Sequence, residues 1–514
     1  MAYRSKIGLL TKETNTEPLK QKLMKKYIIS LCTAIGMLAT GCGDSFLDID
    51  PTNAVQDNSE MIRNNSELQV AVNGAYVYLE YYRNAHTLHG DVMGDDLQSY
   101  PNNNWVGVYH NLNRRTPNNT TVTIWRQLYT GSFDINTKLD KIQYIQDKNA
   151  ETDRLEAELR FVRAILHWEA SLRYGPLPSN LGKGEIKKDA LGVMITDKLP
   201  DDIMGTFHRD KVSDVFAWMI REMEDCKDAL SREHREAALN YWAAQMFLSR
   251  LYLYTEQWDK AYECATDVIE NGGYTLYDRS NYVESWKKEY ASESIFEMPT
   301  TDSDNASWDA LSYFVNPYGY YAVIATNAFV DLWDDGDVRF QILENPYWDW
   351  YPRHFTDDDN WGQCYFISGK YPGRNGNLKV NNPKIYRLSE AYLIAAEAAL
   401  RGSKGVGAGS RYLTELRKNR TTTDPERYDS GYDLDDVLYE RRLELIGEGH
   451  RCFDIWRNQG TVVKYDGKPN FQWTEFDEMP FDDYHVILPL PVRELDLMSA
   501  EDKKTQQNPG YGLF

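Results

Sequence analysis

The sequence predicts a mainly α protein, a tetratricopeptide-like helical-repeat scaffold with long, irregular, loop-rich insertions. Three observations lead there. Long stretches place apolar residues at helical spacing. Two of them, separated by only three residues, carry alanines at the positions where paired helices cross, as one tetratricopeptide repeat does. Between such stretches lie others rich in Asn, Asp, Gly, Pro and aromatics, without periodicity. The scaffold is expected over about residues 60–275 and 383–457. The insertions are expected over about 97–121, 276–382 and 458–487, all within one domain spanning 42–514.

The helices are read in order. Residues 66–82 align Leu68, Val72, Tyr76 and Leu79, and residues 123–145 align Trp125, Leu128, Phe133 and Asn136. Residues 151–174 form a long stretch, charged on one side, that stops at Gly175-Pro176. Residues 212–230 and 233–254 follow, the latter with Leu239, Ala243, Phe247 and Leu251 in line. After a break at 255–257, residues 258–271 turn Trp258, Ala261, Ala265 and Ile269 inward and end at Gly272-Gly273. Further helices are expected at 383–400, 410–419 and 434–446. Trp125, Trp168, Trp242 and Trp258 are assigned to the core. The insertions carry little core of their own, and segments of that length in a helical frame usually serve function.

Composition narrows the function classes. The 514 residues include 36 Tyr and 14 Trp against 17 Phe, a surplus of rings with a polar handle that suits contact with a wet ligand. The net charge is −21; without residues 1–41, which hold seven basic and two acidic side chains, it is −26. Such a body repels polyanions, so nucleic acid is excluded as a partner, and anionic headgroups would not hold it on a membrane.

Membrane attachment is expected from the amino terminus instead. Lys25 and Lys26 precede the mostly apolar run 27–40, about 14 residues and shorter than the roughly 20 needed to span a bilayer. It ends at Leu38-Ala39-Thr40-Gly41-Cys42, which resembles a bacterial lipobox, although Ala39 stands where leucine is usual and Leu38 lies one step early. Residues 1–41 are therefore read as a signal peptide with its true start at Met24, and Cys42 as the lipidated first residue of the mature chain. Cys226, Cys264, Cys364 and Cys452 lack the spacing of a zinc site or a disulfide framework.

Five stretches in order carry a family resemblance. They are Asp44-Ser45-Phe46-Leu47-Asp48; Arg160-Phe161-Val162-Arg163-Ala164 leading to Arg173-Tyr174-Gly175-Pro176-Leu177-Pro178; and Arg387-Leu388-Ser389-Glu390-Ala391-Tyr392-Leu393-Ile394-Ala395-Ala396-Glu397-Ala398. Then come Glu440-Arg441-Arg442-Leu443-Glu444-Leu445 with Glu448-Gly449-His450-Arg451 and Asp454-Ile455-Trp456-Arg457, and finally Leu488-Pro489-Leu490-Pro491 with Gln507-Asn508-Pro509-Gly510-Tyr511. From Cys42 onward the chain resembles the SusD/RagB family of Bacteroidetes nutrient-binding outer-membrane lipoproteins. The resemblance implies tetratricopeptide-like helices as scaffold and a more irregular half bearing a glycan site. It also implies a surface-exposed, lipid-anchored place on the outer membrane, and a TonB-dependent, SusC-like barrel as the partner that takes over the captured sugar.

No motif for catalysis stands out. Glu440, Glu444 and Glu448 share a helical face with Arg441 and Arg451 placed to bridge them, and are read as a structural ion-pair network. Glu390 and Glu397 lie seven apart beside Ala395 and Ala396, a sign of close helix packing. A glycosidase needs two carboxylates held across a cleft, and nothing singles out a pair. His86, His89 and Asp91 lack the helix-spaced pattern of a zinc site. Asp331, Asp334, Asp335 and Asp337, and the run 357–359, could hold a structural calcium, but their spacing is not that of an EF-hand and solvated turns are expected. Gly405-Val406-Gly407-Ala408-Gly409 follows a helix rather than a strand, so it is not a phosphate loop. No cofactor is expected.

The positive case is stacking of sugar C–H faces on rings, with hydroxyls bonded to polar side chains. The candidates are Trp105 and Tyr109 with Asn103 and Asn104 in the early insertion, and Trp308, Tyr313, Tyr318 and Tyr320 in the middle one. Two other readings differ in what they bind or do: a lipid-anchored repeat protein that takes a peptide or protein in a helical groove, and a surface glycoside hydrolase that would release reducing ends.

Overall fold

The computed structural model describes residues 62–99, 106, 119–200, 208–345, 365–464 and 478–512. Cys42, Asn103, Asn104, Trp105, Tyr109, Cys364 and the acidic run 357–359 lie outside the described residues.

The frame is built from helices α1 (Asn65–Ala75), α2 (Asn119–Lys141), α3 (Ala150–Tyr174), α4 (Val212–Cys226), α5 (Tyr241–Tyr254), α6 (Trp258–Asn271), α7 (Leu388–Arg401), α8 (Val406–Lys418) and α9 (Leu434–Glu444). From α2 to α8 each packs on its predecessor, and α9 closes on α7. The stacking is that of a helical repeat array, in which a helix buries its apolar stripe only through its neighbours. The step from α6 to α7 spans the whole middle insertion, yet these two helices lie side by side.

Local signals set the helix ends. Asn149 caps α3, its side chain accepting the Glu151 amide at 2.9 Å while Thr152 Oγ1 accepts the Asn149 amide at 3.1 Å. Asn240 caps α5 by accepting the Ala243 amide at 2.9 Å. That cap places the start of α5 eight residues after the predicted one, and residues 233–240 form turns. Every residue of α5 is buried, the environment that a helix apolar all round requires.

Four expectations change. In α3 the charged residues are not on a solvent face: Glu158, Arg163, Glu169 and Arg173 are all buried, and Glu169 accepts from Tyr82 Oη at 2.6 Å and from Arg173 Nη1 at 2.5 Å. Phe133, placed in the inward stripe of α2, is 50% exposed, and Trp258 is only partly buried under Arg401, whereas Trp125, Trp168 and Trp242 are core. Residues 384–387 open the predicted helix as a strand, because strand β4 (Lys384–Arg387) pairs antiparallel with β2 (Ser294–Glu297) of the insertion. The insertion itself is not core-poor: Tyr277, Tyr282, Trp286, Phe296 and Phe329 are buried in it. Two further antiparallel pairs join distant segments, β1 (Leu97–Ser99) with β3 (Val323–Ala325), and β5 (Thr461–Val463) with β6 (Glu478–Pro480).

The middle insertion is tied to the frame by buried ion pairs. Arg387, at the start of α7, reaches Glu293 at 2.8 Å, Glu444 at 3.0 Å and Glu448 at 2.6 Å. Arg420 binds Glu293 at 2.6 Å and Glu444 at 2.8 Å. Arg339 pairs with Asp337 at 2.7 Å and Glu440 at 2.9 Å, and Lys370 meets Glu448 at 2.6 Å. Glu440, Glu444 and Glu448 thus form the structural network expected of them, with different partners: Arg441 binds Asp454 and Arg451 binds Asp95 and Asp96. Two acids of the 331–337 run have protein partners as well: Asp337 is buried against Arg339, and Asp334, still partly exposed, pairs with Arg417 at 2.6 Å.

His86 and Asp91 also have protein partners. His86 lies 3.1 Å from Glu169, and Asp91 accepts the amides of Gly449, His450 and Arg451 at 2.7, 3.1 and 2.9 Å, closing the start of helix Arg451–Arg457. His89 stacks on Phe453, with centroids 6.0 Å apart. Gly449 has φ +85° and faces Gly90 so closely that a Cβ on Gly90 would stand 2.0 Å from the Gly449 carbonyl oxygen. Only glycine serves at either place.

Burial alone would raise the Glu444 carboxyl, but Arg420, Arg387 and Arg339 hold it well below the ordinary range. Burial pushes His86 and His450 well below the usual imidazole value and His167 to about 4. All these folded-state values are depressed, so their contribution is complete above the unfolded values and is lost as pH falls. The guanidinium unfolding midpoint is expected to decline below about pH 6.5, where unfolded histidines take up protons, and more steeply below about 4.5. A midpoint constant from pH 7 to pH 4 would contradict this. Glu444→Gln, which removes the counter-charge shared by three buried guanidinium groups, is expected to cost about 3–5 kcal/mol in the same unfolding assay at pH 7.

Candidate functional site

Four Tyr or Trp side chains are well exposed among the described residues: Trp308 (56%), Tyr318 (76%), Tyr320 (39%) and Tyr321 (40%). All four fall between positions 308 and 321, in one loop of the middle insertion. The predicted candidates Trp308, Tyr318 and Tyr320 are among them, and the fourth, Tyr313, is half-buried between two of them. Tyr321 belongs to the same surface and was not singled out from the sequence. Its neighbours at 318 and 320 were, and the run Tyr318-Gly319-Tyr320-Tyr321 was the available signal. Other rings of the insertion turn inward. Trp286 is buried beneath Arg387 and Lys370, and Trp333 packs on Phe329 and Phe340.

The loop is short-range in its construction. Helix Leu311–Phe314 is followed by Asn316, whose side-chain oxygen accepts the Tyr318 amide at 2.9 Å and whose carbonyl accepts those of Gly319 and Tyr321 at 3.0 and 3.3 Å. The Tyr320 amide then donates to the Tyr313 carbonyl at 2.6 Å. That return requires glycine at 319, where a Cβ would lie 2.4 Å from the Tyr313 oxygen. Tyr321 itself has φ +42°, a conformation that costs a non-glycine residue about 1–3 kcal/mol and persists only where its surroundings enforce it. Here they do. The Ala322 amide bonds the Phe314 carbonyl at 2.9 Å, and strand β3 begins at the next residue.

The frame holds the loop from below. Arg83 grips Asp304 at 2.8 and 3.0 Å and the Pro299 carbonyl at 3.0 Å, while Asn84 Nδ2 donates to the Asp309 carbonyl at 2.7 Å. Strand β1 lies alongside β3 with Ser99 opposite Val323, so the early insertion departs beside the end of this loop. Its candidates, Asn103, Asn104, Trp105 and Tyr109, lie outside the described residues.

Three rings form a row. The centroids of Trp308 and Tyr313 are 5.1 Å apart with planes at 52°, and those of Tyr313 and Tyr320 are 5.4 Å apart at 39°. Such spacing is that of attractive ring pairs, so the row is held by its own contacts. Lys379 places its ammonium 4.1 Å from the Trp308 centroid, covering one face of the indole.

Beside the row opens a cleft of about 690 Å³, lined by Tyr313, Asn316, Tyr318, Gln341, Glu344, Ser368 and Asn377 among others. Glu344 accepts from Ser368 Oγ at 2.6 Å, and its charge, with a hydrogen bond, raises the Tyr318 phenol above its usual range. The arrangement presents stacking faces and polar edges to solvent. Among the described residues no group of three or more His, Cys, Asp or Glu side chains is placed to hold a metal ion.

The SusD family model matches residues 343–511, and a second model, described as starch-binding and associating with the outer membrane, matches residues 45–253. A SusD-like protein of Bacteroides ovatus is 23% identical over 485 residues, covering 84% of this chain and 82% of that protein. The crystal structure of a SusD superfamily protein from Bacteroides vulgatus superposes with a TM-score of 0.77 at 28% identity, covering 88% of this chain and all of that one. Surface glycan-binding protein A from Bacteroides thetaiotaomicron, solved with laminarihexaose, has the same fold, with a TM-score of 0.63 at 18% identity over 87% of this chain and 99% of that one. Between them the two models span most of the sequence, and together with these relatives and the stacked helices described above they place it: the chain belongs to the SusD/RagB family.

Proposed function

We propose that this protein captures oligo- or polysaccharide on the bacterial surface and breaks no bond in it. One observation carries the reading: every well-exposed Tyr or Trp among the described residues lies in the 308–321 loop, three rings of which stand in a row at a pitch close to that of successive sugar residues. A sugar lays its C–H face on such rings and turns its hydroxyls to the polar neighbours. The row is pre-formed, so little ordering opposes binding. The family relation supports the same ligand class. Against cleavage speaks the cleft, where Glu344 is the one carboxylate among the described lining residues and is already engaged by Ser368 and Tyr318. Hydrolysis with retention or inversion needs two.

The rest of the proposal extends the family reading. Cys42 carries the lipid that holds the protein on the outer membrane, and a TonB-dependent, SusC-like barrel receives the captured glycan. Among the described residues no helix is long and apolar enough to cross a membrane, which agrees with attachment from outside the described part.

Titration of the protein with oligosaccharides from a positive array signal is expected to give micromolar to millimolar affinity. Trp308→Ala and Tyr320→Ala should each weaken it about tenfold, equivalent to about 1.4 kcal/mol. Affinities within twofold of the parent for both variants would remove the ring row from the site. No reducing ends should accumulate with any bound polysaccharide; their release would make the protein an enzyme. In cells of the source bacterium, Cys42→Ala should shift the protein from the membrane fraction to the soluble one and abolish incorporation of labelled fatty acid. Persistence of both would show that the anchor lies elsewhere. Affinity purification of the anchored protein from detergent-solubilised outer membranes should bring down a TonB-dependent barrel, and repeated failure to do so would argue against the handover.

A further inference from the structure

The geometry points to a branched glycan as the ligand, with its main chain along Trp308, Tyr313 and Tyr320 and a side branch in the adjoining cleft. This rests on the ring row being the carbohydrate site. Tyr313 belongs to both features: it is the middle ring of the row and a wall of the cleft. A linear chain that uses all three rings passes the mouth of the cleft and leaves it empty. A substituent on the sugar that stacks on the middle ring is the one that enters.

The cleft suits a short sugar branch in size and in lining. Its volume of about 690 Å³ lies within the range of small-molecule sites, about 300–1,000 Å³, and far exceeds what a hydroxyl or an acetyl group needs. Leu343, Pro372 and Leu378 offer apolar walls, as the C–H faces of a pyranose require. Polar atoms stand between them. Gln341 is exposed, and its amide has no hydrogen-bond partner among the described residues. Ser368, Glu344 and Asn377 are held in place by bonds of their own, Asn377 donating to Asp302 at 3.0 Å and accepting from the Lys379 amide at 3.1 Å. The walls are fixed, too. Gly369 packs against Ile342 so tightly that a Cβ would lie 2.5 Å from the Ile342 Cα, and its amide bonds the Ile342 carbonyl at 2.9 Å. A rigid, part-apolar recess beside the middle of a stacking row discriminates by shape, since a linear ligand leaves its surfaces in water while a branched one covers them.

The test is an array of matched oligosaccharides, each linear main chain printed beside the same chain with a single one- or two-sugar branch, followed by calorimetry on the pairs that bind. The parent protein is expected to favour branched members by about tenfold or more. Gln341→Trp and Lys287→Trp each place a large side chain at an exposed position lining the cleft, where folding is least affected. Either should bring the branched-to-linear ratio close to one. Trp308→Ala should weaken both members of a pair while keeping their ratio. Equal affinity of the parent for both members, or an unchanged ratio in both filled variants, overturns the branch assignment and leaves the ring row standing. Binding of no carbohydrate by the parent overturns the ring row and the branch together.

Discussion

Glu444 lies fully buried between Arg387 and Arg420, and through Glu293 the same two arginines reach into the middle insertion. The seating of the middle insertion on the frame rests on this junction, where the chain returns after more than a hundred residues to stack α7 on α6. Removing such ions from water costs several kcal/mol each, which mutual attraction in the interior roughly repays. The network therefore adds little net stability. Its effect is selective: any other seating of the insertion would leave several buried charges without partners. Short bonds of 2.6 to 3.0 Å from one guanidinium to three carboxylates fix position and orientation together. An apolar junction of equal area would tolerate sliding.

The same insertion does opposite things at its two faces. Toward the frame it presents Glu293, Asp337, Arg339 and Lys370, all buried and paired. Toward solvent it presents Trp308, Tyr318, Tyr320 and Tyr321 on a loop closed by Asn316 and Gly319. Arg83 and Asn84 connect that loop directly to the scaffold, so the rings are supported from the frame and not only from their own segment. A weakly binding surface depends on this. Stacking returns only about a kilocalorie per ring, and a loop that had to be ordered on binding would consume it.

Much of the frame was legible in the sequence, because helices that bury one stripe write it at a fixed period. Residues 258–271 were read with the bounds that are observed, and 151–174 began one residue late. What periodicity misjudged was charge. It counts Glu158, Arg163, Glu169 and Arg173 as polar and therefore outward, whereas each is buried against an opposite charge or a hydrogen-bond partner. For the same reason the middle insertion looked poor in core. Its buried acids and bases were invisible as core residues until their partners on α7, α8 and α9 were known. Residues 384–387 failed differently: the strand they form depends on β2, some ninety residues earlier, a non-local pairing that no local pattern encodes. The stretch 233–240 contains good helix formers, but Asn240 offers its side chain to the amide of Ala243 and the helix begins there.

The candidate site was legible as a segment and not as an arrangement. Ring content marked the middle insertion as a whole, and composition cannot tell Trp286, enclosed by Arg387, Lys370 and Lys384, from Trp308, which carries one lysine and is 56% exposed. Both are tryptophans flanked by cations; burial separates them. A cation beneath an enclosed ring belongs to the ion network that seats the insertion. A cation on one face of an exposed ring steadies it and makes it one-sided, so that a flat ligand has a single direction of approach. Direction is what a capture surface needs most, because a ligand held weakly by three rings gains its specificity from the side on which everything else must lie.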